Sequence, residues 1–262
     1  LRRPIPRPTS RDWPWLVGVA LTGLVLFNLA VIRAVEQAEP AAVAVIIGAV
    51  PLVLLLAESV RHRRRPSPLL LLGAMLVVIG AALVQGGGRV TFEGAAWAVV
   101  ALLCEAAFTL LAVPVLGRLG VMGVSVHTTW LAALMLGGLA LIVDGGGALP
   151  VMDGGELVAV AYLAVILTAV AFVLWYGAVR TLGPAVAGLF AGLMPIAAAL
   201  SGVIPGLTTI TPAVIGGSIV VGLGIAIGLS ARSDAPVRAT TEPDAGAMPQ
   251  PATVLTQRAR PR

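Results

Sequence analysis

Apolar residues along this chain come in long unbroken runs divided by short polar interruptions, not in the alternating pattern of a half-buried strand. Eight such runs stand out, at roughly 13–35, 41–60, 68–86, 95–117, 121–143, 156–180, 184–204 and 212–230. About twenty helical residues cross a hydrocarbon core of ~30 Å. Each run therefore predicts a membrane-spanning helix, because only a helix or a closed barrel satisfies its backbone polar groups in lipid. The run beginning at Trp13 is longer than the 7–15 residues of a signal-peptide core, so it too predicts a span. The chain reads as an all-α, polytopic membrane helix bundle of about 8 spans. A short N-terminal segment, 1–12, precedes it, and a tail at 231–262, rich in Pro, Ala, Thr and Arg, is expected to be disordered.

Composition supports this reading. Hydrophobic residues make up 58% of the chain and charged residues 11%, against about 25% charged in a soluble domain. Mean hydropathy is +1.01. The basic balance would suit nucleic acid, but its placement argues against that partner. All 17 basic residues are Arg, clustered in the breaks between runs, which is a topology signal. With the N-terminus inside, fifteen of them fall on the inner side, including "RHRRR" at 61–65, Arg118 and Arg180; only Arg33 and Arg89 fall outside. Both termini are placed in the cytoplasm, and the protein in the cell membrane. Cys104 is the single cysteine, so no internal disulfide or thiolate metal cluster is expected.

The chain also repeats itself. A shift of 144 residues lays Pro40 on Pro184, Gly48 on Gly192, Pro51 on Pro195, Pro68 on Pro212, Gly73 on Gly217 and Gly80 on Gly224. The loop between the matched helices is basic in the first copy ("RHRRRPS") and neutral in the second ("PGLTTIT"). The two copies are thus predicted to cross the membrane in opposite directions, the inverted repeat common among secondary transporters. Pro40 and Pro184 sit where helices start, which costs no hydrogen bond. Pro51 and Pro195, eleven residues on, lie about 16 Å deeper, near the midplane. Each removes a helical hydrogen bond, and Gly48 and Gly192 beside them permit close approach. The pairs predict two kinks facing a central cavity; the plainer alternative is that Pro and Gly are common in membrane helices.

The segments "EPAAVAVIIGAVPLVLLL" with "GAMLVVIGAALV", and "GPAVAGLFAGLMPIAAAL" with "GGSIVVGLGIAIG", resemble the ends of the two repeats of the EamA family of the drug/metabolite transporter superfamily. "EGAAWAVVALLCEAAFTLLAVPVLGRLG" resembles the opening of its second repeat. The resemblance implies ten spans in two inverted five-helix repeats, both termini in the cytoplasm, and movement of small metabolites, often outward. Here it covers a partial first repeat of three spans, 13–86, and a second of five, 92–230. The 144-residue shift carries residue 92, where the second repeat begins, to about −52, so roughly 50–60 residues holding two helices are expected upstream, and a clipped chain or misplaced start is favoured over a complete eight-helix protein. The family's Glu at the outer end of the helix after each mid-helix Pro has no counterpart in "IPGLTTITP", and only Glu58 in the first copy, so no role transfers.

Glu105 is the acidic residue at mid-span, in the fourth run. An ionisable group there is a functional hypothesis by default: it can carry a proton through a cycle or pair with a substrate ammonium. The alternative is a structural Glu hydrogen-bonded to a neighbouring helix, helped by Thr109. Asn28 is a second candidate, with interhelical hydrogen bonding as its structural reading. Trp175 and Tyr176 are either interface anchors or cavity lining. Gly188/Gly192 and Gly224/Gly228 read as close-packing pairs, and His127 as an interfacial histidine. "QGGG" at 85–88 and "DGGGALPVMDGG" at 144–155 lack the Lys and Ser/Thr of a phosphate cradle. No catalytic residues, metal site or cofactor are expected, and the chain is read as no enzyme.

Two functions fit. One is a secondary transporter, an exporter of a small metabolite or drug-like compound, proton-coupled through Glu105. The other is a truncated, non-transporting membrane protein, a scaffold or inactive remnant. The partners expected are a small-molecule substrate and the lipid bilayer, with no nucleic acid; a homodimer is left open.

Overall fold

The computed structural model describes residues 6–86, 88–144, 152–203 and 210–233. Residues 145–151 of the "DGGGALPVMDGG" segment and nearly all of the tail lie outside them. Each of the eight apolar runs is helical, and the described residues hold one isolated bridge pair but no strand. The protein is a polytopic all-α membrane protein. Among the described residues six helical stretches are long and apolar enough to cross a membrane, one of them the 52-residue Phe92–Val143, which Gly120 divides in two, and Pro184–Leu200 is a shorter apolar one. The helices are α1 (Trp13–Gln37), α2 (Pro40–Arg61), α3 (Pro68–Gln85), α4 (92–119), α5 (121–144), α6 (Gly154–Leu182), α7 (184–203) and α8 (Pro212–Ser233).

Punctuation in the sequence explains the boundaries. Helices α2, α3, α7 and α8 begin on Pro40, Pro68, Pro184 and Pro212, where the missing N–H had no partner to lose. An Asp153–Glu156 capping box opens α6. Helices α4 and α5 form one continuous apolar stretch broken by Gly120, at φ 69° and ψ 172°, a conformation open to glycine. Gly18 and Gly23 of α1 face Leu111 and Phe108 of α4, whereas Trp13 meets Trp130 and Val25 clusters with Ala132 of α5. So α4 runs antiparallel to α1 and α5 parallel to it: the chain folds back at Gly120.

Packing follows membrane rules. The buried set is dominated by Ala, Val and Gly positions, while Leu134, Leu141, Ile142 and Leu174 point outward. Lipid tails are as apolar as leucine, so helices associate through close packing of small residues. Helices α3 and α8 show this most clearly. A Cβ on Gly73 would lie 2.7 Å from the carbonyl oxygen of Gly224, and one on Gly80 2.7 Å from that of Gly217. The reverse contacts, Gly217 to Gly80 and Gly224 to Gly73, are also 2.7 Å. Under the 144-residue shift these are the same two positions meeting crosswise, so α3 and α8 are antiparallel and related by a local pseudo-twofold. Val77 and Val221, also equivalent, are both fully buried between them.

Other features obey the same symmetry. Helix α2 is interrupted at Gly48–Ala49, where Ala49 N–H turns back to Ile46 at 3.1 Å. Helix α7 tightens into a 3₁₀ turn at Phe190–Gly192. Helices α1 and α6 each loosen into a π stretch, at Leu21–Leu26 and Leu163–Val170.

Charge separates the two ends of the bundle. One end, the basic end, carries Arg7, Arg11, Arg61–Arg65, Arg118 and Arg180. There Arg118 pairs with the buried carboxylate of Asp12, which also accepts from Thr9 N and Oγ1 at 2.6 Å. Trp130 Nε1 donates to His127 Nδ1 at 3.2 Å, leaving His127 Nε2 to donate to the Pro6 carbonyl at 3.4 Å. The N-terminal segment is thereby strapped across the α4–α5 turn. At the far end Arg33 and Arg89 are neutralised by Glu36 and Glu39, each at 3.2 Å. Glu39 N–H also bonds the Arg89 carbonyl at 2.9 Å, joining the α1–α2 and α3–α4 loops.

Candidate functional site

The two interrupted helices meet at a cavity of about 410 Å³. Ala44, Ile47, Gly48 and Val50 of α2 form one wall, and Ala191, Met194, Pro195 and Ala198 of α7 the other. Phe27, Gln85 and Glu105 complete it. Only Gln85 and Glu105 bring polar side chains to the lining, so the space is an apolar slot with one carboxyl at its base and one amide at its rim.

The kinks divide their labour. Gly48 and Pro195 line the cavity, while their partners serve packing. A Cβ on Gly192 would meet Val77 Cγ1 at 2.5 Å, and Pro51 is buried with its Cα 3.4 Å from the position of a Cβ on Gly188. The close-packing glycines behave as their spacing predicts: Gly188 accommodates Leu54, Gly224 faces Gly73, and Gly228 accommodates Leu189. Because Pro51 has no N–H, the Ile47 carbonyl loses its helical donor at the cavity wall.

Glu105 is half-buried, and among the described residues no group hydrogen-bonds or ion-pairs with its carboxyl. Thr109, one turn toward the basic end, is fully buried and donates to the Glu105 backbone carbonyl at 3.2 Å, not to its side chain. Trp175 Nε1 donates to Thr109 Oγ1 at 3.2 Å, which sets the indole just beyond Glu105 on the basic side. Around it Leu54, Ala106, Ala191 and Leu110 form a packed cluster. Tyr176 is completely buried in a second cluster with Leu16, Phe108 and Val115, and its hydroxyl is the one buried side-chain polar atom without a partner among the described residues. Its ring lies 5.3 Å from that of Phe108. Asn28 stands apart: it is exposed, and its amide donates to Leu24 O of its own helix at 2.7 Å.

Direction along the helices locates the opening. Lining residues on α1, α2, α3 and α7 lie at or beyond the level of Glu105 toward the far end. On the basic side the Leu54–Trp175 layer and the aromatic cluster of Phe108, Phe172 and Tyr176 fill the interior. Sequence patterning singled out Glu105, Thr109, Trp175, Gly48 and Pro195, which gather here, and Pro51 and Gly192, which pack behind the lining; it missed Phe27, Gln85 and Met194. Gln85 carries a usable signal, a polar side chain closing an apolar run; Phe27 and Met194 differ from their lipid-facing neighbours only in helix phase. Sequence also missed Glu58, which accepts the Ala185 N–H at 2.8 Å and caps α7 from the end of α2.

Comparison with known proteins accords with this architecture. An uncharacterized transporter of Bacillus subtilis (strain 168), YetK, is 24% identical over 212 residues, which are 78% of this chain and 64% of the relative. The chain thus spans just under two thirds of that relative's length. A solved crystal structure matches the fold with a TM-score of 0.70 at 22% identity, covering 87% of this chain and 78% of its own. Residues 1–85 and 92–229 match the EamA-like transporter family, and the chain belongs to that family.

Proposed function

We propose that the chain acts as a secondary transporter that holds a small molecule between its two interrupted helices and against Glu105. The carrying observation is the slot of about 410 Å³ with a single unpaired carboxyl at its base, closed on the basic side by Thr109 and Trp175. A site at the interface of inverted repeats, framed by broken helices, is where such transporters bind their substrates. Residues 13–86 and 92–230 are read as those repeats. The lining suits a mostly apolar compound with one cationic or hydrogen-bonding group. Proton and substrate compete for Glu105, and that competition couples their movements. The basic end faces the cytoplasm of the cell membrane by the positive-inside rule. The slot then opens outward, and a proton entering there drives substrate export.

The test is flux in proteoliposomes under an imposed pH gradient, with a panel of amines, amino acids and cationic dyes. Wild type moves at least one class of compound with protons in exchange, and Glu105→Gln abolishes the gradient-driven part. Gradient-driven flux at the wild-type rate in Glu105→Gln removes the coupling role. No exchange with any compound in the panel counts against transport.

A second reading is a non-transporting scaffold. It draws on α6, whose described residues from 154 to 166 are all exposed, an apolar face available to other helices. It predicts a protein that inserts and folds but moves no compound.

A further inference from the structure

At the basic end lies a second cavity of about 380 Å³, between the end of α2, the 62–67 loop, the start of α3 and the α6–α7 joint. It has two unlike walls. Leu55, Leu70, Leu182 and Val186 make an apolar one, and His62, Arg64 and Arg65 make a basic one. The loop geometry is built for this. Arg63 takes φ 50°, and Arg64 N–H closes the turn onto the Ser59 carbonyl at 3.0 Å, which carries Arg64 and Arg65 round to the cavity.

Of the cavity's other polar side chains, Ser67 adds a neutral hydroxyl, and Glu58 and Ser59 are already used. Glu58 accepts from Ala185 N–H at 2.8 Å, and Ser59 Oγ donates to the Leu55 carbonyl at 2.8 Å. The arginines are not: the ion pairs among the described residues involve Arg33, Arg89 and Arg118, and none involves Arg61, Arg63, Arg64 or Arg65. Beside the cavity, Val60 and Leu69 present exposed apolar surface of the kind that faces lipid. An occupant must therefore offer negative charge at the level of the loop and an apolar body running along the helices. Inorganic phosphate has only the first, and the slot around Glu105, apolar with a carboxyl at its base, offers no basic group to hold an anion.

We propose that this cavity binds an anionic phospholipid, its phosphate on Arg64 and Arg65 and the upper acyl chain against Leu70, Leu182 and Val186. Basic pockets between helices at the interface take such headgroups. The cavity touches Ala185 and Val186 at the start of α7, the helix that breaks beside the main slot. A bound lipid thus ties α2 and α3 to the base of α7.

The experiment is native mass spectrometry of the full chain released from detergent with phosphatidylglycerol, phosphatidylcholine or inorganic phosphate. It reads binding alone, so its outcome is independent of any transport activity. Wild type retains phosphatidylglycerol over phosphatidylcholine, and Arg64→Gln with Arg65→Gln weakens that binding roughly 30-fold. A control pair, Arg61→Gln with Arg63→Asn, removes the same charge outside the cavity, with Asn suited to the positive φ at 63; it keeps most of the preference. Three results would overturn the proposal: equal retention of both lipids by wild type, an equal loss in the control pair, or inorganic phosphate displacing phosphatidylglycerol at equal concentration.

Discussion

Gly216 and Gly217 are adjacent in α8, yet the structure assigns them opposite responses to the same substitution. A Cβ on Gly216 meets nothing within 4 Å. One on Gly217 would lie 2.7 Å from the Gly80 carbonyl oxygen, 2.8 Å from Val84 Cγ2 and 2.9 Å from Val84 N. Two of these neighbours are backbone, which cannot rotate away, so α3 and α8 must separate by ~0.7 Å to restore ordinary contact near 3.4 Å. Overpacking of this kind costs ~1–3 kcal/mol. Alanine also gains up to ~1 kcal/mol of helix propensity over glycine, but that gain is common to both sites and cancels when the variants are compared. Gly217→Ala should therefore unfold below Gly216→Ala by ~2–4 °C for each kcal/mol, in thermal melts of detergent-solubilised protein. The pseudo-twofold adds a second condition. Gly80→Ala strikes the same contact from the other side, so it should match Gly217→Ala, and the double variant should cost less than the sum, because one separation accommodates both. A Gly217→Ala protein melting at or above Gly216→Ala would refute the crosswise packing of α3 on α8.

Arg118→Gln strands the Asp12 carboxylate, which is buried while the arginine side chain is 44% exposed. The expected loss is ~1–3 kcal/mol in the same melts, below the range for a fully buried pair because solvent reaches the guanidinium, and Asp12→Asn in the Arg118→Gln background should recover part of it. Glu105→Gln swaps a carboxyl that has no partner among the described residues for an amide of nearly the same shape, so it forfeits no contact and its melting point should not fall. A loss of flux in that variant then reports chemistry, and a collapse in stability would mean the carboxyl is structural.

Much of this fold was legible in the sequence because lipid simplifies the problem. Apolar runs long enough to span, prolines at helix starts and glycines at matched positions each have one cheap structural solution in a bilayer. The 144-residue shift was readable because Pro and Gly constrain backbone directly, and the structure returns it as reciprocal contacts of Gly73, Gly80, Gly217 and Gly224. Glu105 was legible from the cost of a carboxyl at depth. What stayed hidden depends on helix rotation and on distant pairing. Nothing local to Gly48 and Gly192 says that the first lines the slot and the second packs under Val77. Nothing near Asp12 says that it meets Arg118, and nothing near Glu58 that it caps α7, because these pairings join residues more than a hundred positions apart.

The central claim is that the interrupted helices frame a slot reached from the far end and sealed on the basic side. Single cysteines at Ala44 and Met194, in a Cys104→Ala background, test it with a membrane-impermeant maleimide added to one face of oriented vesicles at a time. Both positions line the slot, whereas Cys104 of the wild type is buried and serves as the unreactive reference. The account predicts labelling at 44 and 194 from the far face, little from the basic face, and none at Cys104. Equal labelling from both faces, or protection of both positions from the far face, would contradict it.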